Sequence, residues 1–290
     1  MTHRLLFLFL SLLVAPVVAR AQEMIEIRNG APVTIRPDRA YILFRTDRPP
    51  GVPAVEPIFL RVPTAEDVEA YYAARLEAFR QAEPRLRQRR EEQIRRNRHP
   101  VDPEPSPENF VFFSANLQNV HYVDAGRSYV RGRPESVYLF EARPGDYVLY
   151  GATYGGPGFT ACFCLGTVGF TASAGVVTDL GYFLGDLVHR VSVIPELRAE
   201  SGFGPSVNGY MVLLGGTVRP ASAGLSVPEP LRGLTIRPAE YRAVGKFVEH
   251  AATQVNRLAP VAGVLAYERG RVIDVRSGRE VPDVPTDPGS

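Results

Sequence analysis

The sequence predicts a mainly β protein, an antiparallel β-sandwich with a helical insertion and a C-terminal helix plus hairpin. Three observations carry this expectation. The stretch Val137 to Leu184 breaks into short apolar or alternating runs separated by Pro and Gly turns, the pattern of strands in an all-β domain. Glycine and proline number 26 each and aromatics make up 10% of the chain, a composition that supplies many turns and a bulky core. No fixed-period repeat runs through the chain, which argues against a propeller or a solenoid.

Met1 to Ala21 has the three-part layout of a secretory signal: Arg4, an apolar run from Leu5 to Val14, and the small-x-small site Ala19-Arg20-Ala21. The run falls short of the ~20 residues that span a bilayer. No Cys follows it to accept a lipid. The expected organisation is a cleaved signal peptide over 1–21, a β-sandwich domain over 22–276 and a disordered tail over 277–290. The mature chain is then exported, periplasmic or extracellular, and without a transmembrane segment.

Gln22 to Thr46 reads as two strands, Met24 to Arg28 and Val33 to Arg45, joined by the hairpin signal Asn29-Gly30. Ala40 to Phe44 is its most apolar part and the expected central strand, and Glu56 to Val62 resumes strand character. At Thr64 the period changes. Thr64 and Asp67 have capping-box spacing, and Val68, Tyr72, Leu76 and Phe79 mark one face of a helix over Glu66 to Gln81. Glu83-Pro84 predicts a kink or restart. Arg85 to Arg98 is polar nearly all round, with Glu91–Arg95 and Glu92–Arg96 at i, i+4. His99 to Asn109, Pro-rich and acidic, reads as a flexible return linker that closes an insertion over 64–109.

Phe110 to Leu117 and Val120 to Tyr122 return to strand character. Val137 to Ala142 alternates, Pro144-Gly145 fits a type II turn, and Asp146 to Thr153 reads as the returning strand. Phe159 to Leu165 follows as a run buried on both faces. Ala174-Gly175 between 167–171 and 176–180 predicts a tight hairpin. Gly185 to Val193 and Tyr210 to Leu214 are further strand candidates. In the last third, Pro238 stands where a helix would begin, and Ala239 to Val255 carries a helical face. A hairpin of Val261 to Tyr267 and Arg271 to Val275 completes the C-terminal element over 237–276.

Pro144-Gly145-Asp146-Tyr147, the strand after it, and Gly175-Val176-Val177-Thr178-Asp179-Leu180-Gly181 together resemble a group of bacterial envelope domains of unknown function. Those domains are small prealbumin-like β-sandwiches with a P-G-x-Y turn and a closing G-x-V-x-x-L strand. The likeness covers about a sixth of the chain and rests on turn and strand signals. It implies a fold and a compartment, and it supplies no catalytic residues.

Cys162 and Cys164 are the only cysteines. On a regular strand they share a face with a Cα separation near the ~6.8 Å upper limit for a disulfide, so a local bond needs a bulge. Two buried thiols, an intermolecular bridge or a soft metal site are the alternatives, the last without neighbouring His or further Cys. His99, His121, His189 and His250 show no ligand spacing. Gly204 to Gly209 is not a G-x-S-x-G elbow, and no phosphate-cradling loop is present, so no cofactor is implied. Glu141, Asp146, Asp179 and Asp186 lie on or beside the central strands, where solvated carboxylates are the default.

The formal net charge of +2 carries no message about partners. Charge is concentrated locally: Arg85, Arg87, Arg89, Arg90, Arg95, Arg96 and Arg98 form the expected partner surface. Export disfavours nucleic acid and leaves another envelope protein or an anionic envelope component as the partner class. The leading expectation is a non-enzymatic binding or accessory module. An exported hydrolase acting on cell-wall glycan or peptide is the first alternative, and a structural subunit pairing through an edge strand is the second.

Overall fold

The computed structural model describes residues 24–47, 54–112, 120–122, 128–130, 135–155, 160–162, 167–185, 216–222, 225–245, 261–268 and 271–283. The signal-like segment 1–21, Cys164, Asp186, His189, His250, the Gly204 to Gly209 loop and the strand candidates at 185–193 and 210–214 fall essentially outside these residues.

The mainly β expectation holds, and among the described residues the strands form two six-stranded sheets and one three-stranded sheet. The first sheet contains β1 (Met24–Ile27), β2 (Ala40–Asp47), β5 (Glu135–Ala142), β9 (Val177–Gly185), β10 (Gly216–Arg219) and β11 (Ile236–Pro238). Its order is β1-β5-β2-β9-β10, with β11 also on β9. The second contains β3 (Ala54–Arg61), β4 (Val120–Tyr122), β6 (Gly145–Gly155), β7 (Thr160–Cys162), β8 (Val168–Ala172) and β12 (Arg242–Ala243). Its order is β12-β8-β6-β3-β4, with β7 also on β6.

Alternation along the strands builds the core between the two sheets. Ile42 and Phe44 on β2 and Tyr138 and Phe140 on β5 meet Phe59 on β3, Tyr147 and Leu149 on β6 and Phe170 on β8. Phe44 stacks on Tyr138 with ring centroids 4.9 Å apart and meets Phe59 edge-on at 5.9 Å, so aromatic rings join the layers. The other face of β2 and β5 presents Tyr41, Leu43, Val137 and Leu139 to a second cluster, covered by Leu231 and its neighbours. β2 is thus buried on both faces, as its apolar run predicts.

Two predicted hairpins, and the predicted reversal at Pro144-Gly145, are turns of another kind. Asn29 and Gly30 take positive φ, as a tight turn requires, yet β1 and β2 both pair with β5 and flank it. The Pro144-Gly145 turn leads from β5 in the first sheet to β6 in the second, and Ala174-Gly175 leads from β8 back to β9. Turn chemistry specifies a change of direction, and burial of both strands' apolar faces on one core selects a corner between sheets. A strand arriving from the opposite sheet is free of hairpin geometry. Accordingly β2 and β9 are parallel, with Ile42 opposite Thr178, within sheets whose other ladders are mostly antiparallel. The register shifts between Leu43 and Arg45. In the adjoining part of β9, Gly181 has φ +77°, and a Cβ there would lie 2.0 Å from the Arg219 carbonyl oxygen.

The helix expected from Pro238 does not begin there. Ala239 and Tyr241 are buried and Glu240 is exposed, a period of two. β11 runs parallel to β9, and β12 pairs with β8, so this segment passes from one sheet to the other. The Tyr241 hydroxyl donates to the Leu180 carbonyl at 2.7 Å. Residues 246–255 of the expected helix lie outside the described residues. The C-terminal hairpin forms as β13 (Leu265–Glu268) and β14 (Arg271–Asp274). β15 (Arg279–Val281) adds to it, so the expected disordered tail begins with an ordered strand.

Candidate functional site

Two features concentrate polar side chains: an arm inserted between β3 and β4, and one end of the first sheet. The arm begins with α1 (Ala65–Arg95), a single 31-residue helix, about 46 Å long at a rise of about 1.5 Å per residue. Its start is as predicted. The Thr64 hydroxyl accepts from the Asp67 amide at 3.2 Å, and the Asp67 carboxylate accepts from the Thr64 amide at 2.8 Å and from Arg61 at 2.9 Å. Pro84 lies inside the helix and does not divide it, contrary to the expected restart.

The predicted flexible linker is a strap laid back along the helix. The stripe Tyr72, Arg75, Phe79, Ala82, Leu86, Arg90 and Gln93 recurs at three- and four-residue steps and is buried or half-buried, while Leu76 is exposed. Arg75, which hydrophobic periodicity passes over, is a central member. Its guanidinium donates to the carbonyls of Glu108 at 2.8 Å and Phe110 at 3.2 Å, satisfying strap groups that have no sheet partner. Phe79 packs on Phe110 and Tyr71 on Phe112, with centroids 5.7 and 5.6 Å apart. Towards the tip, Arg89 meets Asp102 at 3.1 Å, and Arg87 and Arg90 meet Glu104 at 2.7 and 3.0 Å.

The seven arginines singled out from sequence therefore divide. Arg87, Arg89 and Arg90 hold the strap, and Arg96 pairs with Glu92 on the helix itself. The side chains of Arg85, Arg95 and Arg98 have no hydrogen-bond or ion-pair partner among the described residues. By helical angle Arg95 sits opposite the buried stripe, and Arg85 lies on its flank near Arg89. His99 follows the helix and is exposed. His121 and Cys162 lie on β4 and β7, where only the backbone is described.

The second feature lies where β2 and β9 end and β5 begins. The Arg45 side chain is 1% exposed and donates to Asp179 at 2.6 Å and to the Ser226 carbonyl at 3.0 Å, with Glu135 3.9 Å from its Nε. Asp179 also accepts from the Gly181 amide at 2.8 Å. Tyr182, opposite Arg45 in the ladder, donates to Glu135. Burial, and then this hydrogen bond, push its phenol far above the ordinary range. Across the sandwich the Tyr138 hydroxyl donates to Glu56 at 3.0 Å, both side chains being buried.

Of the carboxylates noted from sequence, Glu141 and Asp146 are also tied to arginines. Glu141 accepts from Arg39 at 2.9 Å. Asp146 bonds Thr171 and Arg242, and although burial alone would raise its carboxyl, these bonds hold it below the usual range. Asp179, expected from sequence to be solvated like the others, is instead buried against Arg45. Arg45, Glu135 and Tyr182 were missed because they read as ordinary strand residues. Among the described residues no three His, Cys, Asp or Glu side chains converge as metal ligands do. No described helix is long and apolar enough to cross a membrane. Compared with known proteins, the chain matches no family model, no curated protein and no solved structure.

Proposed function

We propose that the chain is an exported, non-enzymatic binding module of the bacterial envelope, in which the sandwich is the scaffold and the helix-and-strap arm is the contact element. The signal-like N-terminus supports the compartment. One observation carries the arm: α1 packs along its own strap, and among the described residues no strand of the sandwich packs along it. A helix of this length that contributes little to the core has a role outside the core. Its partner is another envelope protein or an anionic envelope component.

The test uses a variant in which residues 63–117 are replaced by Asn-Gly, a turn that joins antiparallel strands directly. β3 and β4 are such neighbours, with Leu60 opposite Val120, so the scaffold closes without the arm. Mature wild type captures a partner from an envelope fraction, and the arm-less variant loses it. Recovery of the same partner by both forms overturns the reading.

A further inference from the structure

Resting on the reading of the arm as the contact element, we propose that the basic face of α1 beneath the strap is a docking site for an acidic, extended segment of a partner protein. Residues 99–112 fill it as an intramolecular ligand.

The strap displays the chemistry that the face accepts. Residues 101–106 lie in no helix, and Pro103 and Pro105 bias Asp102 and Glu104 before them towards extended backbone. They are held through backbone as well as side chain: Arg90 Nε donates to the Asp102 carbonyl at 3.1 Å, and the Asp102 amide donates to Gln93 Oε1 at 2.9 Å. Arg87, Arg89 and Arg90 then take the Asp102 and Glu104 carboxylates. Recognition by backbone groups and carboxylates asks little of the remaining side chains, so an acidic extended segment from another protein satisfies the same donors.

The two halves of the strap are held by different forces. The inner half is anchored by the buried Arg75 and by the Phe79–Phe110 and Tyr71–Phe112 ring contacts. The outer half is held by ion pairs facing water, with Arg87 and Glu104 52% and 55% exposed and Arg89 and Asp102 68% and 44% exposed, and by the two backbone bonds to Arg90 and Gln93. Exposed pairs are weak and screened by salt. The outer half yields first, and a competitor displaces it while the anchor keeps the arm intact. A tethered ligand acts at an effective concentration in roughly the millimolar range, which keeps the face closed until a better segment arrives.

The probe is a fluorescein-labelled peptide of residues 99–112, read by anisotropy against the mature full-length chain. The double variant Asp102→Ala/Glu104→Ala frees the outer face, and it should bind the peptide at least about tenfold more tightly than wild type does. Adding Arg87→Glu/Arg89→Glu/Arg90→Glu should abolish that gain. If this reversal unfolds the chain, seen as loss of the cooperative melt, Arg87→Gln/Arg89→Gln/Arg90→Gln replaces it with the same expected loss. Equal peptide affinity for wild type and the double variant overturns the proposal, as does binding that survives loss of the arginines. Capture by phosphatidylglycerol vesicles with no response to the peptide also overturns it, in favour of a lipid surface. If arm excision removes the captured partner but the peptide gains nothing, the contact-element reading stands and the docking inference alone fails.

Discussion

Arg45 shows how much one side chain can hold. Fully buried, it joins Asp179 on the neighbouring strand to the Ser226 carbonyl of the segment lying over the sheet. Arg45→Met leaves the Asp179 charge without its guanidinium and should cost about 3–5 kcal/mol, the range for breaking a buried pair from one side. Arg45→Met/Asp179→Asn should cost less than the sum of the single changes, because the stranded charge is gone. Urea unfolding of the four proteins in the cycle measures this coupling. The phenols set an alkaline limit. Burial, followed for Tyr182 by the Glu135 hydrogen bond and for Tyr241 by the Asp179 charge, raises both above the ordinary value of 10.0. A raised folded-state value means stability that is complete below about pH 10 and lost as pH rises, because the unfolded chain ionises first. Tyr182→Phe should flatten the fall in melting temperature between about pH 10 and 11, and an unchanged slope would assign the loss elsewhere.

At the scale of the element, α1 was legible where its signal is local and hidden where it is not. Thr64 and Asp67 announce the start because a capping box is written in four residues. Asp67 is correspondingly held below its ordinary 3.8: burial opposes this, but bonds from Thr64 and Arg61 outweigh it. Its contribution is present above that value and lost as pH falls below it. Asp67→Asn should therefore weaken arm protection at neutral pH, by an amount that shrinks as pH falls below 3.8. Arg75 could not be found from periodicity, since its value lies in two carbonyls of a strap more than thirty residues on. Pro84 reads as a break because an interior proline removes a hydrogen bond, yet its fixed φ suits a helix, and Arg87–Glu83 and Arg87–Glu104 brace that region. Pro84→Ala restores the missing donor. With proline costing about 3 kcal/mol relative to alanine, the arm amides should gain protection in hydrogen exchange while the sheet amides do not change.

For the whole molecule, sequence periodicity located most described strands to within a few residues but not their partners. Ala40 to Phe44 was identifiable as central because both faces are apolar, and it lies between β5 and β9. Asn29-Gly30, Pro144-Gly145 and Ala174-Gly175 were identifiable as turns, but a turn carries no record of whether the strands beyond it share a sheet. That choice belongs to the core, where Phe44, Phe59, Tyr138 and Phe170 come from four strands far apart in sequence. The same separation of local from global explains the arm. β3 and β4 are antiparallel neighbours, so among the described residues the arm leaves the sandwich beside the strand to which it returns, and the Arg61–Asp67 ion pair joins β3 to α1. Exchanging residues 63–117 for Asn-Gly should therefore leave a cooperatively folding sandwich. The Arg61 side chain is 5% exposed and that of Asp67 26%, so losing this half-buried pair should cost about 1–2 kcal/mol, a melting temperature lower by about 2–8 °C at this chain size. A fall beyond about 10 °C, or loss of cooperativity, would mean that the arm helps to build the core. The arm would then be a structural element first, and a contact surface only in addition.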